Sequence, residues 1–225
     1  MEGSFGHFPV DIVVFALIAV FLALRLRSVL GKKVGFTAAP MPQAAPPGPT
    51  GPVIESRAVP AAATRFDVPD PATRVGAVLT EVTRKEPGFV AQQFLSGVEG
   101  AFRQIVTAYA AGNRAVLKER LTADAFTAFD AAITARESAQ ETQKSEIRAI
   151  DSIAIEDVVL KDSPVGTAAT IDVRIVSDQI SFVVDAEGKP VTGTDAVTEF
   201  SDLWTFEKLL GVSGATWRLA AARSA

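Results

Sequence analysis

Six carboxylates in the second half of the chain, Asp172, Asp178, Asp185, Glu199, Asp202 and Glu207, are the side chains most suited to chemistry, because each lies on or beside a stretch of alternating polar and apolar residues. A carboxylate held in an apolar cone has a raised pKa and can serve as a general base near neutral pH. The same alternation describes solvated acids on the open face of a half-exposed sheet, and that is the reading it favours. Other catalytic groups are scarce. The single histidine is His7, close to the N-terminus, and the cysteine count is 0. Beyond His7 there is no imidazole base or ligand, and nowhere a thiolate nucleophile, a disulfide or a Cys-based zinc site. No glycine-rich phosphate loop, serine elbow or paired metal-ligand spacing occurs. These residues argue for binding over catalysis, with no cofactor and no metal.

The aromatics are the other candidate site. Phe94, Phe102, Phe182, Phe200, Trp204, Phe206 and Trp217 recur at helix and strand spacings, where such residues ordinarily build a core. Helices laid on a curved sheet nevertheless leave an apolar concavity at the open end. Phe94, Phe102, Phe182, Trp204, Phe206 and Trp217 are its candidate lining, suited to a lipid tail or an exposed segment of another protein.

The elements that position these residues divide by period. Asp70-Pro71 offers a cap and a first helical turn, after which Val75, Val78, Leu79 and Val82 share one face. After Pro87, Phe89, Phe94, Val98, Phe102, Ile105 and Tyr109 recur at helical steps until Gly112-Asn113. A short helix from Arg114 to Leu121 follows, then one from Thr122 with Ala125, Phe126, Phe129 and Ile133 as its stripe. The period then changes to two. Ile153 and Ile155 alternate with polar or small residues, as do Ile171, Val173 and Ile175, Phe200 to Phe206, and Trp217 with Leu219. Turn residues at Ser163-Pro164, Glu187-Gly188 and Gly211 to Gly214 separate these runs. Residues 71–225 therefore read as an α+β domain, its helices packed on one face of a curved antiparallel sheet. The first helix has the thinnest stripe, with Arg74, Arg84 and Lys85 beside it. Val75, Val78, Leu79 and Val82 are thus either a peripheral contact for a membrane or partner, or a cap on the sheet.

Ahead of this domain runs the apolar stretch Ile12 to Leu24, followed at once by Arg25, Arg27, Lys32 and Lys33. Extended from Phe8 to Val29 it is long enough to cross about 30 Å of hydrocarbon. Val10, Ile12, Phe15, Leu17, Phe21 and Leu24 are its lipid-facing candidates, and Arg25 and Arg27 its anchors at the inner headgroups. The start carries no Lys or Arg, and the pairs Ala38-Ala39 and Ala44-Ala45 are each followed by proline, so an uncleaved anchor over 1–30 is expected over a signal peptide. Positive charge on its C-terminal side puts the N-terminus in the periplasm and the domain in the cytoplasm of an inner membrane. Residues 31–70 form a basic, proline-rich linker, since alanine-proline mixtures bury too little surface to order the chain. The net charge of −4 is uneven, with 67–225 at −7 and six basic residues against Glu55 over 25–66. An acidic domain argues against nucleic acid. The basic stem suits an anionic leaflet.

At this point the residues carry a resemblance. FVAQQFLSGVEGAFRQIVTAYAAGNRAVLKERLTADAFTAFDAAITARE, from Phe89 to Glu137, resembles the start of the Tim44-like domain family, including a beginning of the GA-x-x-AF kind from Gly97 to Phe102. IDVRIVSDQISFVVDAEGKPVTG, from Ile171 to Gly193, and DLWTFEKLLGVSGATWRL, from Asp202 to Leu219, resemble its closing blocks. An anchor and proline-rich stem ahead of that domain is similar to the arrangement of the family's bacterial TimA branch. Two positions depart: relatives read F-x-R-D and P-N-W where this chain has Phe206-Glu207-Lys208 and Ala215-Thr216-Trp217. Lys208 keeps an arginine's charge without its fork. Where eukaryotic members carry a long N-terminal region that recruits the import motor, this chain has the apolar run and the linker, so the resemblance does not imply motor tethering.

The resemblance implies a fold similar to nuclear transport factor two and cystatin, and a non-enzymatic adaptor at the inner membrane. Mitochondrial relatives act in protein import or hold the ribosome at the membrane. By analogy the role is in membrane-protein assembly or translocation, with a membrane-associated protein or an anionic lipid as partner and the oligomeric state left open. Two other classes compete: a small-molecule-binding or isomerase-like enzyme on the same fold, and a periplasmic secretion-system subunit.

Overall fold

Helix ends in this chain fall where side chains can satisfy orphan backbone groups. In the computed structural model, which describes residues 63–224, Thr73 caps α1 (Arg74–Lys85) by accepting from the Gly76 N–H at 3.0 Å. Asp70, expected as that cap, instead folds the turn before it, accepting from Ala72 N–H through Oδ1 at 2.8 Å and from Thr73 N–H through its carbonyl at 2.9 Å. Helix α2 (Ala91–Ala110) stops as expected at Gly112, whose φ of 67° lies in the left-handed region that a Cβ disfavours. Asn113 then caps α3 (Arg114–Arg120), and Thr122 caps α4 (Ala123–Ser138). Arg114 clamps the last two helices together, donating to Asp130, to both oxygens of Glu137 at 2.9 Å, and to Thr134 at 3.1 Å. Among these described residues no helix is long and apolar enough to cross a membrane. Val10, Ile12, Phe15, Leu17, Phe21, Leu24, Arg25 and Arg27 lie outside them.

The four helices cover one face of a five-stranded sheet in the order β1 (Arg65–Asp67), β2 (Thr142–Ser163), β3 (Gly166–Val184), β4 (Pro190–Leu210) and β5 (Arg218–Ser224). The sheet is mixed, which corrects the antiparallel expectation: β1 runs parallel to β2, and only the remaining pairs are antiparallel. The cause is position in the chain. β1 precedes all four helices, and so long a crossover lets a parallel edge form. It occupies 65–67, inside the stretch read as linker, because a three-residue strand with charged flanks has no period to read.

Alternation alone would not bury β2. Ile150, Ile153, Ile155 and Val158 all face the core, although the spacings of three would turn neighbours to opposite faces. Register shifts between Ile147 and Ala149, Ile150 and Ser152, and Ile155 and Asp157 absorb Arg148, Asp151 and Glu156 as bulges and restore the face each time. β3 needs no such device on its core side: Ala169, Ile171, Val173 and Ile175 are all fully buried. Phe102 and Ile105 of α2, Leu117 of α3 and Ile133 of α4 close over this face.

Helix α1 is also part of the packing. Leu79 and Val82 sit in the core, and Val75 and Val78 are half-buried against it. The stripe offered above as a peripheral contact is therefore turned inward, because the edge of β2 gives it an apolar surface to cover. What α1 presents outward is charge, with Arg74 bound to Asp157 at 2.7 Å and Lys85 to Asp162 at 3.7 Å.

Lys208, one of the positions that departs from the family pattern, finds its partner just past α1. Its ammonium donates to Glu86 Oε1 at 3.1 Å, and the Gly211 N–H donates to Oε2 at 3.0 Å. A backbone amide thus fills the second acceptor that a guanidinium fork would take. First the Gly211 N–H and then Lys208 hold the Glu86 carboxyl below its ordinary pKa. A lowered native pKa contributes stability that is complete above the ordinary carboxylate value of about 4.3 and is lost as pH falls through the native one. Glu86→Gln is expected to lower the unfolding free energy of the full chain by about 1 kcal/mol at pH 7. In urea titrations the gap from wild type should close as the pH is taken below 4. A gap that persists undiminished there would mean the link does not depend on the charge.

Candidate functional site

The helices leave one end of the sheet's inner face uncovered at close range, and a cavity of about 250 Å³ lies there. Its roof is apolar and low. Ala125, Ala128 and Ala132 stand at helical spacing on α4, and their small side chains leave room that leucines would fill. Ile105, Val106 and Tyr109 of α2 and Phe129 of α4 complete that side, Tyr109 and Phe129 meeting edge-on with centroids 5.2 Å apart. Trp204 and Phe200 of β4 and Ala220 to Ala222 of β5 form a second wall.

The floor is polar. On β3 the inward positions that carry Ile171, Val173 and Ile175 continue as Ser177, Gln179 and Ser181, all buried. Gln143 and Ser145 lie beside them on β2. Gln179 Nε2 donates to Ser177 Oγ at 2.9 Å, and Gln143 accepts from Arg136 at 2.9 Å. Arg136 bridges Gln143 to the end of α2: its guanidinium lies 4.9 Å from the centroid of the Tyr109 ring and donates to the Tyr109 carbonyl at 2.8 Å, where a helix C-terminus favours a cation.

The expected lining residues part company in this arrangement. Trp204 lines the cavity, and Phe102 packs behind it with centroids 4.8 Å apart. Phe94, Phe206 and Trp217 instead form a core cluster with Phe89, in which Phe94 meets Trp217 at 5.0 Å and Phe206 at 5.9 Å. Phe182 is on the opposite face of the sheet, an even position on a strand whose odd positions face the helices, and it lies across from Gly193.

The six carboxylates scatter likewise. Asp172 accepts from Thr205 at 2.6 Å on the open face, where Asp178 lies across from Glu199 and Glu207 across from Arg218. Asp185 holds the β3–β4 hairpin by accepting from the Glu187 and Lys189 N–H groups. Asp202 alone of the six lines the cavity, with Asp124 from α4. Among the described residues no group of side chains is arranged to hold a metal ion. Gln143, Gln179, Ala128 and Ala132 are lining residues that the sequence analysis does not assign to a site. The readable signal was the β3 period, which passes from isoleucine to serine and glutamine without a break.

The family model described as the Tim44-like domain matches residues 75–224, from α1 to the end of β5. Among solved structures, the intermembrane space region of the chloroplast protein ARC6 is similar with a TM-score of 0.39 and 12% identity, over 58% of this chain and 95% of that one. A search of curated proteins found no match.

Proposed function

Because this chain belongs to the Tim44-like domain family, we propose that it is a membrane-anchored, non-enzymatic adaptor of the bacterial TimA branch. Residues 1–30 hold it in the inner membrane, and the α+β domain works on the cytoplasmic side in membrane-protein assembly or translocation. The observation that carries this reading is that the family match spans the helices and strands β2 to β5, behind an apolar run flanked by Arg25 and Arg27. Charge divides the labour. The stem, with six basic residues against one acid over 25–66, suits an anionic leaflet, whereas the −7 of 67–225 opposes docking of the domain itself on such a surface. The domain is therefore the part that takes a protein partner. The competing reading, a small-molecule-binding or isomerase-like enzyme on the same fold, draws on the cavity, whose wall holds Asp124 and Asp202.

The topology is tested on the full chain in bacterial cells. The protein should remain in the membrane fraction after an alkaline carbonate wash, and a reporter active only in the cytoplasm should be active when fused after Ala225. A soluble mature chain starting near Pro40 would remove the anchor from the proposal. A reporter silent in the cytoplasm and active in the periplasm would favour a secretion-system subunit.

A further inference from the structure

Among the described residues, β2 meets β1 only over Ser152–Ala154. On one side of that contact α1 covers the edge of β2, with Arg74 bound to Asp157 and Lys85 to Asp162. On the other side, from Thr142 to Asp151, the edge has no strand partner among the described residues, and Ile147 is only half-buried against the core. Such an edge leaves a row of backbone donors and acceptors open to another strand.

The chain itself arrives at this edge. Because β1 is parallel to β2, the residues before Arg65 run alongside the residues before Ser152. The alternation of β1 already continues upstream of it. Ala63 is exposed, Thr64 is half-buried with its hydroxyl donating to Glu99 of α2, Arg65 is exposed, and Phe66 packs against the core. Even-numbered residues therefore face the helices. Carried upstream, that parity turns Ala62, Pro60, Ala58, Ser56 and Ile54 inward, and none of them is charged. Glu55 and Arg57 fall on the outer face with Arg65 and Asp67. With Arg148 and Asp151 set aside as bulges, eight positions remain on β2 from Thr142 to Asp151, the number that residues 57–64 supply.

We infer that β1 is the end of a longer strand, in which residues 57–64 pair parallel with the edge of β2 from Asp151 back to Thr142. Residues 57–62 of this strap lie outside the described residues. Ala62 comes to rest against Ile147 and completes its burial. Pro60 then sits on an edge strand, where proline is admitted. The pairing does not depend on the anchor proposed above, but together the two fix an orientation. The strap takes up about 20 Å of the stem, and the stem leaves the domain beside Thr142 and Val184, where the β3–β4 hairpin lies. That end of the sheet is the one presented to the membrane.

The chain has 0 cysteines, so pairs can be introduced into the full chain in lipid nanodiscs. In the inferred register Val59 lies beside Lys144, which is exposed on the open face across from Phe182. Val59→Cys with Lys144→Cys should form a disulfide under mild oxidation at least tenfold faster than Ala58→Cys with Lys144→Cys, whose side chains take opposite faces. Hydrogen exchange should be slowed at least tenfold at alternate amides over 57–62, those turned toward β2. Ala62→Asp, which sets a carboxylate against Ile147, should abolish that slowing. Val59→Asp, which sets the same group beside Lys144, should preserve it. Undiminished protection of Ile171 to Ile175 in both variants reports that the domain stays folded. The inference is overturned if residues 58 and 59 crosslink at equal rates, if 57–62 exchange as an unprotected chain, or if the two aspartates have the same effect. A chain that fails the carbonate wash but passes these tests would lose its anchor and keep its strap.

Discussion

Truncating Phe102 to alanine is expected to lower the unfolding free energy by about 3–5 kcal/mol, a large share of the 5–15 kcal/mol that holds a typical domain together. Phe102 is fully buried at the middle of α2, and its ring packs against Trp204 with centroids 4.8 Å apart. Deleting it removes contact on two sides at once, since α2 lies against β2 while Trp204 belongs to β4. The void would also open toward the existing cavity behind Trp204, so there is no packed wall to collapse inward. Urea unfolding of the full chain, followed by tryptophan fluorescence, measures the loss. A change below about 1 kcal/mol would mean that Trp204 swings into the vacated space. In that case the cavity would be a deformable one and not a preformed site.

How far the fold could be read depended on whether a residue's environment was set by its neighbours in sequence. Helices α2 to α4 could be read because Phe94, Val98, Phe102 and Ile105 repeat at the helical period and because Gly112, Asn113 and Thr122 act on backbone groups within four residues. β3 could be read for the same reason. The bulges of β2 could not, because Asp151 and Glu156 are extra residues only relative to a partner strand, and the partner is set by tertiary pairing. Two features of the site could be read from strand parity. Strand parity already placed Phe182 opposite Ile171, Val173 and Ile175, so its aromatic character was a weaker guide than its position number. The same parity put Ser177, Gln179 and Ser181 on the inner face, where polar residues in a core register mark a place that is not simply core. Lys208 could be flagged as a departure, but its partner lies 122 residues away and the second donor is a backbone N–H, which has no sequence signature.

The most consequential residue that drew no notice is Gly76, where alanine is expected to destabilise. In an ordinary helix a Gly→Ala change gains up to about 1 kcal/mol, and nothing in the local sequence says otherwise. Here a Cβ at Gly76 would lie 2.0 Å from the Asp70 carbonyl oxygen, 2.5 Å from the carbonyl carbon and 2.8 Å from Pro71 Cα. All three are backbone atoms, so no side-chain rotation relieves the clash. The turn through Asp70 and Pro71 lies on the first turn of α1, and that close approach is what returns the chain from β1 to the helix. The expected cost of Gly76→Ala is about 1–3 kcal/mol, the range for forcing atoms into filled space. The loss should be localised as well. The turn can escape only by lifting away, and it would take with it Phe66, paired with Ile153, and the Thr64 hydroxyl, which donates to Glu99 at 3.1 Å. Hydrogen exchange on the full chain should accelerate across residues 64–73 while the fully buried stretch of β3 keeps its protection. If the variant is instead stabilised and β1 stays protected, the turn has another route off the helix, and the parallel edge of the sheet does not depend on this contact.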